Sequence, residues 1–277
     1  MTKLMRRSRH GAEIPVIGFG TGNLGENCTE IVAAALAAGY RHIDTARKYG
    51  TERGVGEAIR AAGVPRDEIF LTTKVSHENL HAGDLERSTQ ASLRALGLDQ
   101  VDLLLVHWPS PGTPLPETMA ALAAMKRRGL TRHVGVANFN VALLDEAISL
   151  CPEPLVALQA EYHPYLDQSK VLAACRRHGL ILVAYCPLAR GRLIGDPTIV
   201  EIARSKAKTA AQIALRWLVQ QDDVAAIPRS ANRGRVAENL DVLGFALTDD
   251  EMARIAALRR PDGRVVNPFG SISAWDV

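Results

Sequence analysis

The sequence predicts an α/β fold, a (β/α)8 TIM barrel with an N-terminal hairpin and an extra C-terminal helix and loop. Three observations support this prediction. The chain has 277 residues, a length at which one such barrel can account for a whole protein. Eight apolar runs recur along it with amphipathic stretches between them, and glycines punctuate those stretches at a similar interval. We therefore expect residues 1–277 to form a single barrel domain.

The eight apolar runs are the predicted strands. Each is rich in β-branched residues and nearly continuous in apolarity, as strands buried on both faces are. Their starts lie about 30 residues apart, the size of a βα unit. The runs begin near Val16, Arg41, Ile69, Val101, His133, Leu155, Leu180 and Val224. This pattern predicts a parallel sheet.

The stretches between the runs carry apolar residues at helical spacing. Met119, Leu122 and Ala123 form one such stripe, and the stretch that includes Val236 and Leu243 forms another. A glycine in the left-handed conformation commonly follows the end of a helix. The glycines that stand just beyond apolar stripes are Gly39, Gly63, Gly97, Gly129, Gly179 and Gly244. We expect a helix to end before each of them.

Two segments fall outside the eight units. Residues 1–15 precede the first unit and are predicted to form the hairpin. The tail, residues 247–277, opens with Thr248 and with Glu251 three residues later, the pattern of a helix N-cap with a capping box. After Pro261 the sequence changes to Gly, Asn, Pro and Ser, which is typical of a loop. We predict an extra helix after Thr248 and then a loop that covers one mouth of the barrel.

Composition favours a globular protein and argues against several functional classes. Hydrophobic residues make up 47% of the chain and charged residues 23%, and the net charge is only +3, which gives little support for a nucleic-acid surface. No stretch approaches the roughly 18 uncharged apolar residues that span a bilayer. The four cysteines lie far apart, as free thiols of a reducing compartment do. We expect a cytoplasmic monomer with no nucleic-acid or membrane partner.

One motif suggests a different fold. Gly20-Thr-Gly22-Asn-Leu-Gly25 follows a predicted strand, and Asp44 ends the next one, so the string has the form of a Rossmann dinucleotide fingerprint. A short-chain reductase of that fold would also need a Tyr-x-x-x-Lys pair, which this sequence lacks. Eight βα units also exceed the six strands of a doubly wound sheet. The Rossmann interpretation remains an alternative.

A second motif suggests a metal site. His77-Glu-Asn-Leu-His81 matches H-E-x-x-H, in which two histidines on one helix face bind zinc. Here the string directly follows a predicted strand, and Gly83 and Asp84 come just after it. The helix is therefore predicted to start beyond His81, and we expect no metal site.

Four polar residues are predicted to lie on one rim of the barrel. Reacting groups in such barrels lie at the carboxyl ends of the strands. Asp44, Lys74 and His107 each stand at the end of a predicted strand, and Tyr49 lies in the loop after Asp44. Taken singly, a buried Asp–Lys pair or a histidine at a strand end is often only structural. Together on one rim they indicate a catalytic site.

These residues belong to motifs that resemble the aldo-keto reductase family nearly end to end. The motifs are Asp44-Thr-Ala46 with Tyr49-Gly50 and Glu52, Thr72-Thr-Lys74, Val106-His-Trp-Pro109, Gly135-Val-Ala-Asn-Phe139, Gln159 with Glu161-Tyr-His-Pro164, Ala184-Tyr185 with Pro187-Leu188, and Ile227-Pro-Arg-Ser230 with Arg235, Glu238 and Asn239. Within the family the chain is most similar to the bacterial 2,5-diketo-D-gluconate reductase type, notably in His107-Trp-Pro-Ser-Pro111 and in the ending Ala274-Trp-Asp276.

The resemblance implies that Tyr49 is the proton donor to a substrate carbonyl. A phenol has a pKa near 10, and a nearby ammonium such as that of Lys74 stabilises the phenolate and lowers this value. Asp44 would hold Lys74 charged and oriented. His107 would hydrogen-bond the carbonyl and, with Trp108 and Tyr49, contact the substrate.

The resemblance also implies NADP(H) as the cofactor. Asn138 and Gln159 would bond the nicotinamide amide and Tyr185 would stack on its ring. Pro187 and Leu188 follow Tyr185 and belong to the same implied site. The residues implied for the adenosine end are Arg229, Ser230 and Arg235 at the 2′-phosphate and Glu238 and Asn239 at the adenine.

The chain departs from the family pattern at several positions outside the four catalytic ones. Ala137 replaces a common Ser, Thr51 replaces a common Asn, and Arg229 replaces a more usual Lys. The loop 23–27 lacks the aromatic residue that many relatives place in the substrate site, which favours small or polar carbonyls.

The sequence therefore predicts an NADPH-dependent reductase of aldehydes and ketones, including α-dicarbonyls and keto-sugars. Two other classes remain. One is an NADPH-binding regulatory subunit with little turnover, against which the presence of all four catalytic residues argues. The other is a non-redox barrel enzyme, which would need acidic metal ligands or a glycine-rich phosphate loop where this chain has Arg229 and Arg235.

Overall fold

A parallel sheet of eight strands forms the centre of the computed structural model, which describes residues 4–267 and 275–276. The strands of the described part are β1 (Met5–Arg7), β2 (Glu13–Pro15), β3 (Phe19–Gly20), β4 (His42–Asp44), β5 (Phe70–Val75), β6 (Val101–Val106), β7 (Thr131–Ala137), β8 (Leu155–Glu161), β9 (Ile181–Tyr185) and β10 (Val224–Ala226). From β3 to β10 each strand pairs in parallel with the next one along the chain. The predicted parallel sheet is confirmed.

Hydrogen bonds between the first and last of these strands close the sheet into a barrel. The amide of Gly18 donates to the carbonyl of Ala226 at 2.8 Å, and the amide of Ala226 donates to the carbonyl of Val16 at 2.8 Å. Further along, the amide of Gly20 donates to the carbonyl of Pro228 at 3.0 Å. A doubly wound sheet has two open edges and a reversal of strand order. The Rossmann alternative is therefore wrong.

Helices surround the barrel. They are α1 (Cys28–Ala38), α2 (Glu52–Ala61), α3 (Ala82–Leu96), α4 (Leu115–Arg127), α5 (Val141–Leu150), α6 (Ser169–His178), α7 (Pro197–Ser205), α8 (Ala210–Gln220), α9 (Arg233–Leu240) and α10 (Asp249–Ala256). Two of them, α7 and α8, lie between β9 and β10, which is one helix more than a βα unit requires. None of the described helices is both long and apolar enough to cross a membrane.

The predicted helix ends are confirmed where glycine closes the helix, as at Gly39, Gly97 and Gly179, which are left-handed caps. Gly244 is not the cap of its helix, contrary to expectation, since α9 already ends at Leu240 with Asp241 as its C-cap, and Leu243 is exposed. Side-chain contacts with Asp241 explain the early end, because the side-chain amide of Gln212 donates to its carbonyl at 2.9 Å.

The two predicted terminal additions are both present. Thr248 and Glu251 form the capping box of α10, with each side chain accepting the other residue's backbone N–H. Strands β1 and β2 form the antiparallel hairpin. The Arg6 guanidinium fixes the hairpin at the amino end of β10, where it donates to the carbonyl of Val224 at 3.0 Å and to that of Val219 at 2.6 Å. The predicted final loop falls partly on residues 268–274, outside the described residues.

Along β9, alternate residues build two separate cores. In β9, Ile181 and Val183 belong to a cluster inside the barrel, whereas Leu182 and Ala184 belong to the larger cluster between barrel and helices. Tyr185, the next inward residue, packs against the inner cluster. Side chains that face inward at every second position therefore continue to the carboxyl end of the strand, at the rim of the barrel.

Candidate active site

The inward-facing positions of β4, β5 and β8 bring three polar side chains to one rim. Phe70 belongs to the inner cluster, so Lys74, four residues later in β5, faces the barrel axis as well. By the same rule Gln159 follows Ala157 of the inner cluster in β8. Asp44 ends β4, and its carboxylate lies between the side chains of Lys74 and Gln159. The strand register therefore places a cation, a carboxylate and an amide together.

Lys74 is the centre of the resulting hydrogen-bond network. Its ammonium donates to Asp44 Oδ1 at 2.5 Å and to the carbonyl of Thr45 at 2.9 Å, and it lies 3.5 Å from the hydroxyl oxygen of Tyr49. The other carboxylate oxygen, Asp44 Oδ2, accepts from Gln159 Nε2 at 2.8 Å. Lys74 and Asp44 are buried. Every polar group of this pair is thus held in one arrangement away from solvent.

The pKa values of this network differ in part from the expectation. Burial disfavours the charged form of Lys74, but the attraction of Asp44 and of Tyr49, together with the hydrogen bonds to both, outweighs burial, so the pKa of Lys74 lies above its usual value. Burial also raises the pKa of Tyr49, and the charge of Lys74 only opposes that rise. Lys74 thus lowers the pKa of Tyr49 as expected, but the burial of the hydroxyl, which the sequence does not report, has the larger effect and leaves the pKa above its usual value.

Tyr49 and His107 face each other across the rim. Tyr49 ends a 3-10 turn, Arg47–Tyr49, and its ring meets that of His107 edge to face with centroids 5.5 Å apart. Burial lowers the pKa of His107 to about 2, and the positive charge of Lys74 contributes. His107 is therefore neutral near pH 7 and has one N–H to donate. The pair therefore places two neutral hydrogen-bond donors side by side at the rim.

A second polar group adjoins the first. Asn138 is held in the left-handed conformation with φ of 63°, its Nδ2 donates to the carbonyl of His107 at 2.9 Å, and its Oδ1 accepts from the hydroxyl of Tyr185 at 2.7 Å. An amide side chain has two donors and a two-lone-pair acceptor. Asn138 and Gln159 therefore keep hydrogen-bonding capacity for a ligand.

A cleft of about 1000 Å³ runs from this rim to the start of α9. Its walls include all residues that the sequence analysis assigned to cofactor or substrate: Tyr49, His107, Trp108, Asn138, Gln159, Tyr185, Pro187, Leu188, Arg229, Ser230, Arg235, Glu238 and Asn239. Asp44 also lines it, and Lys74 reaches it through Tyr49. The structure thus brings the predicted site residues together along one surface.

The far end of the cleft contains two arginines in different situations. Arg229 donates from Nε to the carbonyl of Gly22 and from a terminal nitrogen to that of Asn23, each at 2.8 Å. Arg235 is exposed on the first turn of α9. The Ser230 hydroxyl accepts from the backbone N–H of Asn232 at 3.0 Å, in the same loop. Of the two guanidinium groups, Arg229 is the one already engaged by protein.

Sequence reasoning missed several residues of the cleft, among them Cys186, Arg190, Thr209 and Val266. Thr209 was detectable, because Thr209 and Gln212 form a capping box at the start of α8. Its hydroxyl also donates to Glu238 Oε1 at 2.7 Å. The other three reach the cleft through loops, for which the sequence carries no comparable signal.

The H-E-x-x-H string does not form a helical zinc motif. His77 lies in a 3-10 turn, His77–Asn79, and α3 begins at Ala82, after His81, as predicted. His81 Nδ1 lies 3.3 Å from a carboxylate oxygen of Glu117. Within residues 4–267 and 275–276, no group of three His, Cys, Asp or Glu side chains could hold a metal ion.

A family model, individual relatives and solved structures that are similar to this chain agree with one another. Residues 16–260 match the model of the Aldo/keto reductase family. The chain is 43% identical over 248 residues to an aldo-keto reductase of Mycolicibacterium vanbaalenii, covering 88% of each chain. It is 39% identical over 267 residues to the methylglyoxal reductase DkgB of Salmonella typhimurium, covering 95% of this chain and 99% of the relative. A crystal structure provisionally assigned as a 2,5-diketo-D-gluconic acid reductase B superposes with a TM-score of 0.96 at 45% identity, covering 99% of both chains.

Proposed function

The chain belongs to the aldo-keto reductase family, and on that basis we propose that it reduces small or polar aldehydes and ketones to alcohols with NADPH. The observation that carries this proposal is the meeting of Tyr49, Lys74, Asp44 and His107 at one end of the cleft. When bound, NADPH supplies the hydride. The protein's own residues bind the reactants, orient them and provide the proton.

Tyr49 is the proton donor in this proposal. Its hydroxyl proton would pass to the carbonyl oxygen, and the phenolate left behind would be stabilised by the Lys74 ammonium 3.5 Å away. Asp44 keeps that ammonium charged, since it raises the pKa of Lys74. The neutral His107 would donate a hydrogen bond to the same carbonyl oxygen and so orient it.

The unused hydrogen-bonding capacity in the cleft fits a nicotinamide group. A carboxamide needs both a donor and an acceptor, and Asn138 and Gln159 retain both kinds. Tyr185 would stack on the ring, beside Pro187 and Leu188. At the other end, Arg235 and Ser230, with Arg229 close by, suit a 2′-phosphate, and Glu238 and Asn239 suit the adenine.

The residues that line the cleft and the names of the similar proteins both support small or polar carbonyls as substrates. The loop after β3 places Gly22 against Tyr49, where a Cβ atom would begin 3.7 Å from the Tyr49 ring, and Asn23 of the same loop lines the cleft. One relative is named a methylglyoxal reductase, for an α-dicarbonyl, and the similar crystal structure is provisionally assigned as a reductase of a diketo-sugar acid. We propose α-dicarbonyls and keto-sugars as the first compounds to test.

The proposal is tested by turnover. Purified protein is incubated with NADPH and a panel of aldehydes, α-dicarbonyls and keto-sugars, and the loss of NADPH absorbance is recorded, then repeated with NADH. Consumption of NADPH with α-dicarbonyls or keto-sugars is expected. Tight NADPH binding without turnover on any carbonyl would instead favour a regulatory subunit.

Removing the Tyr49 hydroxyl tests the role of the proton donor. Tyr49→Phe is expected to retain NADPH affinity and to lower kcat by roughly 10²- to 10⁴-fold, because a positioned general acid contributes about that much. Tyr40→Phe is the matched control, since the Tyr40 hydroxyl donates to the carbonyl of Val236 at 3.0 Å, outside the cleft lining. Wild-type kcat in Tyr49→Phe would show that another group supplies the proton.

We further propose that the enzyme is a cytoplasmic monomer. The four cysteines are free thiols, which supports a reducing compartment. Sedimentation of the purified protein at the mass of one chain, or of two, decides the oligomeric state.

A further inference from the structure

Glu161 is a buried carboxylate at the carboxyl end of β8 that has no part in the proposed reaction. It lies two residues beyond Gln159, on the same inward face of the strand, and is 0% exposed. A buried carboxylate is costly unless hydrogen bonds compensate for the lost water. The partners that compensate for it therefore indicate what it does.

Those partners come mainly from the C-terminal tail. Glu161 Oε1 accepts from the backbone amide of Val265 at 2.6 Å, and Oε2 accepts from that of Val266 at 2.9 Å. His163 Nε2 donates to Oε1 at 2.9 Å, and Arg264 lies 3.8 Å from Oε2. We call Glu161 with the two tail amides the tail anchor. The two carboxylate oxygens of Glu161 accept from two consecutive backbone N–H groups, one oxygen for each.

The segment held by the tail anchor leads to the substrate end of the cleft. Val266 lines the cleft itself. The Arg264 guanidinium stacks on the ring of Trp275 at 3.7 Å, and Trp275 in turn meets Trp108 edge to face at 6.1 Å. Trp108 also lines the cleft, beside His107. Glu161 thus contacts the cleft wall directly at Val266 and is linked to Trp108 only through Arg264 and Trp275.

We propose that Glu161 is a positioning residue that fixes the substrate-side wall of the cleft by holding the tail through the tail anchor. This inference rests on the proposed carbonyl reduction for its kinetic consequence, but not for the anchor itself. Loss of the anchor should loosen the wall formed by Val266 and by Trp275 on Trp108. Asn138 and Arg235 lie on other elements, and Gln159, although it is also on β8, bonds Asp44 and not the tail, so the cofactor contacts at these residues should be unaffected.

The test is Glu161→Gln, which keeps the side-chain volume but puts an NH₂ group against a backbone N–H. Hydrogen exchange of the Val265 and Val266 amides is expected to accelerate by at least about tenfold, with exchange in β6 unchanged. The KM for the carbonyl should rise by about tenfold, with kcat and the NADPH dissociation constant changing by less than about threefold. Glu146→Gln, an exposed change on α5, is the matched control and should alter none of these.

The outcomes separate the inference from the proposed function. A wild-type protein that consumes no NADPH would refute the proposed function, and amide exchange in Glu161→Gln would still decide whether the tail anchor exists. Unchanged exchange, or faster exchange with unchanged KM, would overturn the inference. So would an equal loss of kcat, NADPH affinity and β6 protection, which marks a purely structural residue. If Glu161→Gln does not fold, Glu161→Asp, which keeps the charge with a shorter reach, is held to the same expectations with smaller changes.

Discussion

The two arginines at the far end of the cleft have different surroundings and, we expect, different roles. Arg229 uses two of its nitrogens on backbone carbonyls, whereas the Arg235 guanidinium is exposed beside Ser230 and Glu238. A guanidinium fork without a protein partner is well suited to a phosphate. Selection of NADPH over NADH should therefore depend mainly on Arg235.

Replacing Arg235 tests this division. Arg235→Ala is expected to weaken NADPH binding by about tenfold or more and NADH binding by less than about twofold, because only NADPH carries the 2′-phosphate. Fluorescence titration of both cofactors measures the two constants. Arg233→Ala is the matched control, since Arg233 is also exposed on α9 but pairs with Glu30 at 2.5 Å. Equal losses for both cofactors would place the phosphate elsewhere.

At the scale of elements, Arg229 connects the loops that follow β3 and β10. Its guanidinium spans the carbonyls of Gly22 and Asn23, and Gly22 in turn lies against the Tyr49 ring. An ammonium is a single point of charge and cannot reproduce a bond from each of two nitrogens in a fixed fork. The common lysine at this position would therefore leave the two loops less firmly joined.

Arg229→Lys separates the charge of this residue from its shape. We expect the dissociation constants of NADPH and NADH to rise together, by about threefold to tenfold, because the loop connection weakens while the charge remains. Stopped-flow release of each cofactor measures the effect. Loss of NADPH affinity alone would contradict this expectation and would make Arg229 a phosphate ligand like Arg235.

The elements were predictable to different degrees, for physical reasons. Strand positions and the shared rim followed from apolar runs and from the rule that parallel strands end on one side, which placed Asp44, Lys74 and His107 correctly on one rim. Bonds from side chains to distant backbone carbonyls or amides leave no trace in residue type. The Arg229 connection and the tail anchor of Glu161 were therefore not predictable, and neither was the early end of α9.

For the molecule as a whole, buried histidines make stability depend on pH. His42 is 0% exposed inside the barrel, and its ring fits there because residue 18 is glycine, where a Cβ atom would lie 2.5 Å from Nδ1 of His42. Burial lowers the pKa of His42 to about 4. In the unfolded chain a histidine has a pKa of about 6.5. Between these two values the unfolded chain binds a proton that the folded chain does not, so the free energy of unfolding falls as pH falls through that window.

Replacing His42 should flatten this dependence. For a single group with such a shift, the free energy of unfolding changes by up to about 1.4 kcal/mol per pH unit. His42→Gln is expected to be less stable at pH 7 and to show a slope smaller by about that amount between pH 6 and pH 4.5, measured by urea unfolding. His81→Gln, at an exposed position, should keep the wild-type slope. An unchanged slope in His42→Gln would mean that the folded protein protonates His42.

The way the barrel closes also determines when, during synthesis of the chain, the barrel can be completed. The hydrogen bonds between Val16, Gly18 and Ala226, and the one from Arg6 to Val224 across 218 residues of sequence, join segments whose synthesis is separated by most of the barrel. Until residue 226 has left the ribosome, β3 has an unpaired edge and the hairpin has no partner for Arg6. Such long-range contacts slow folding and leave strand edges open to association with other chains. A nascent chain of this protein therefore exposes an open strand edge until β10 has been made, and a chain that ends before β10 lacks the strand that closes its barrel.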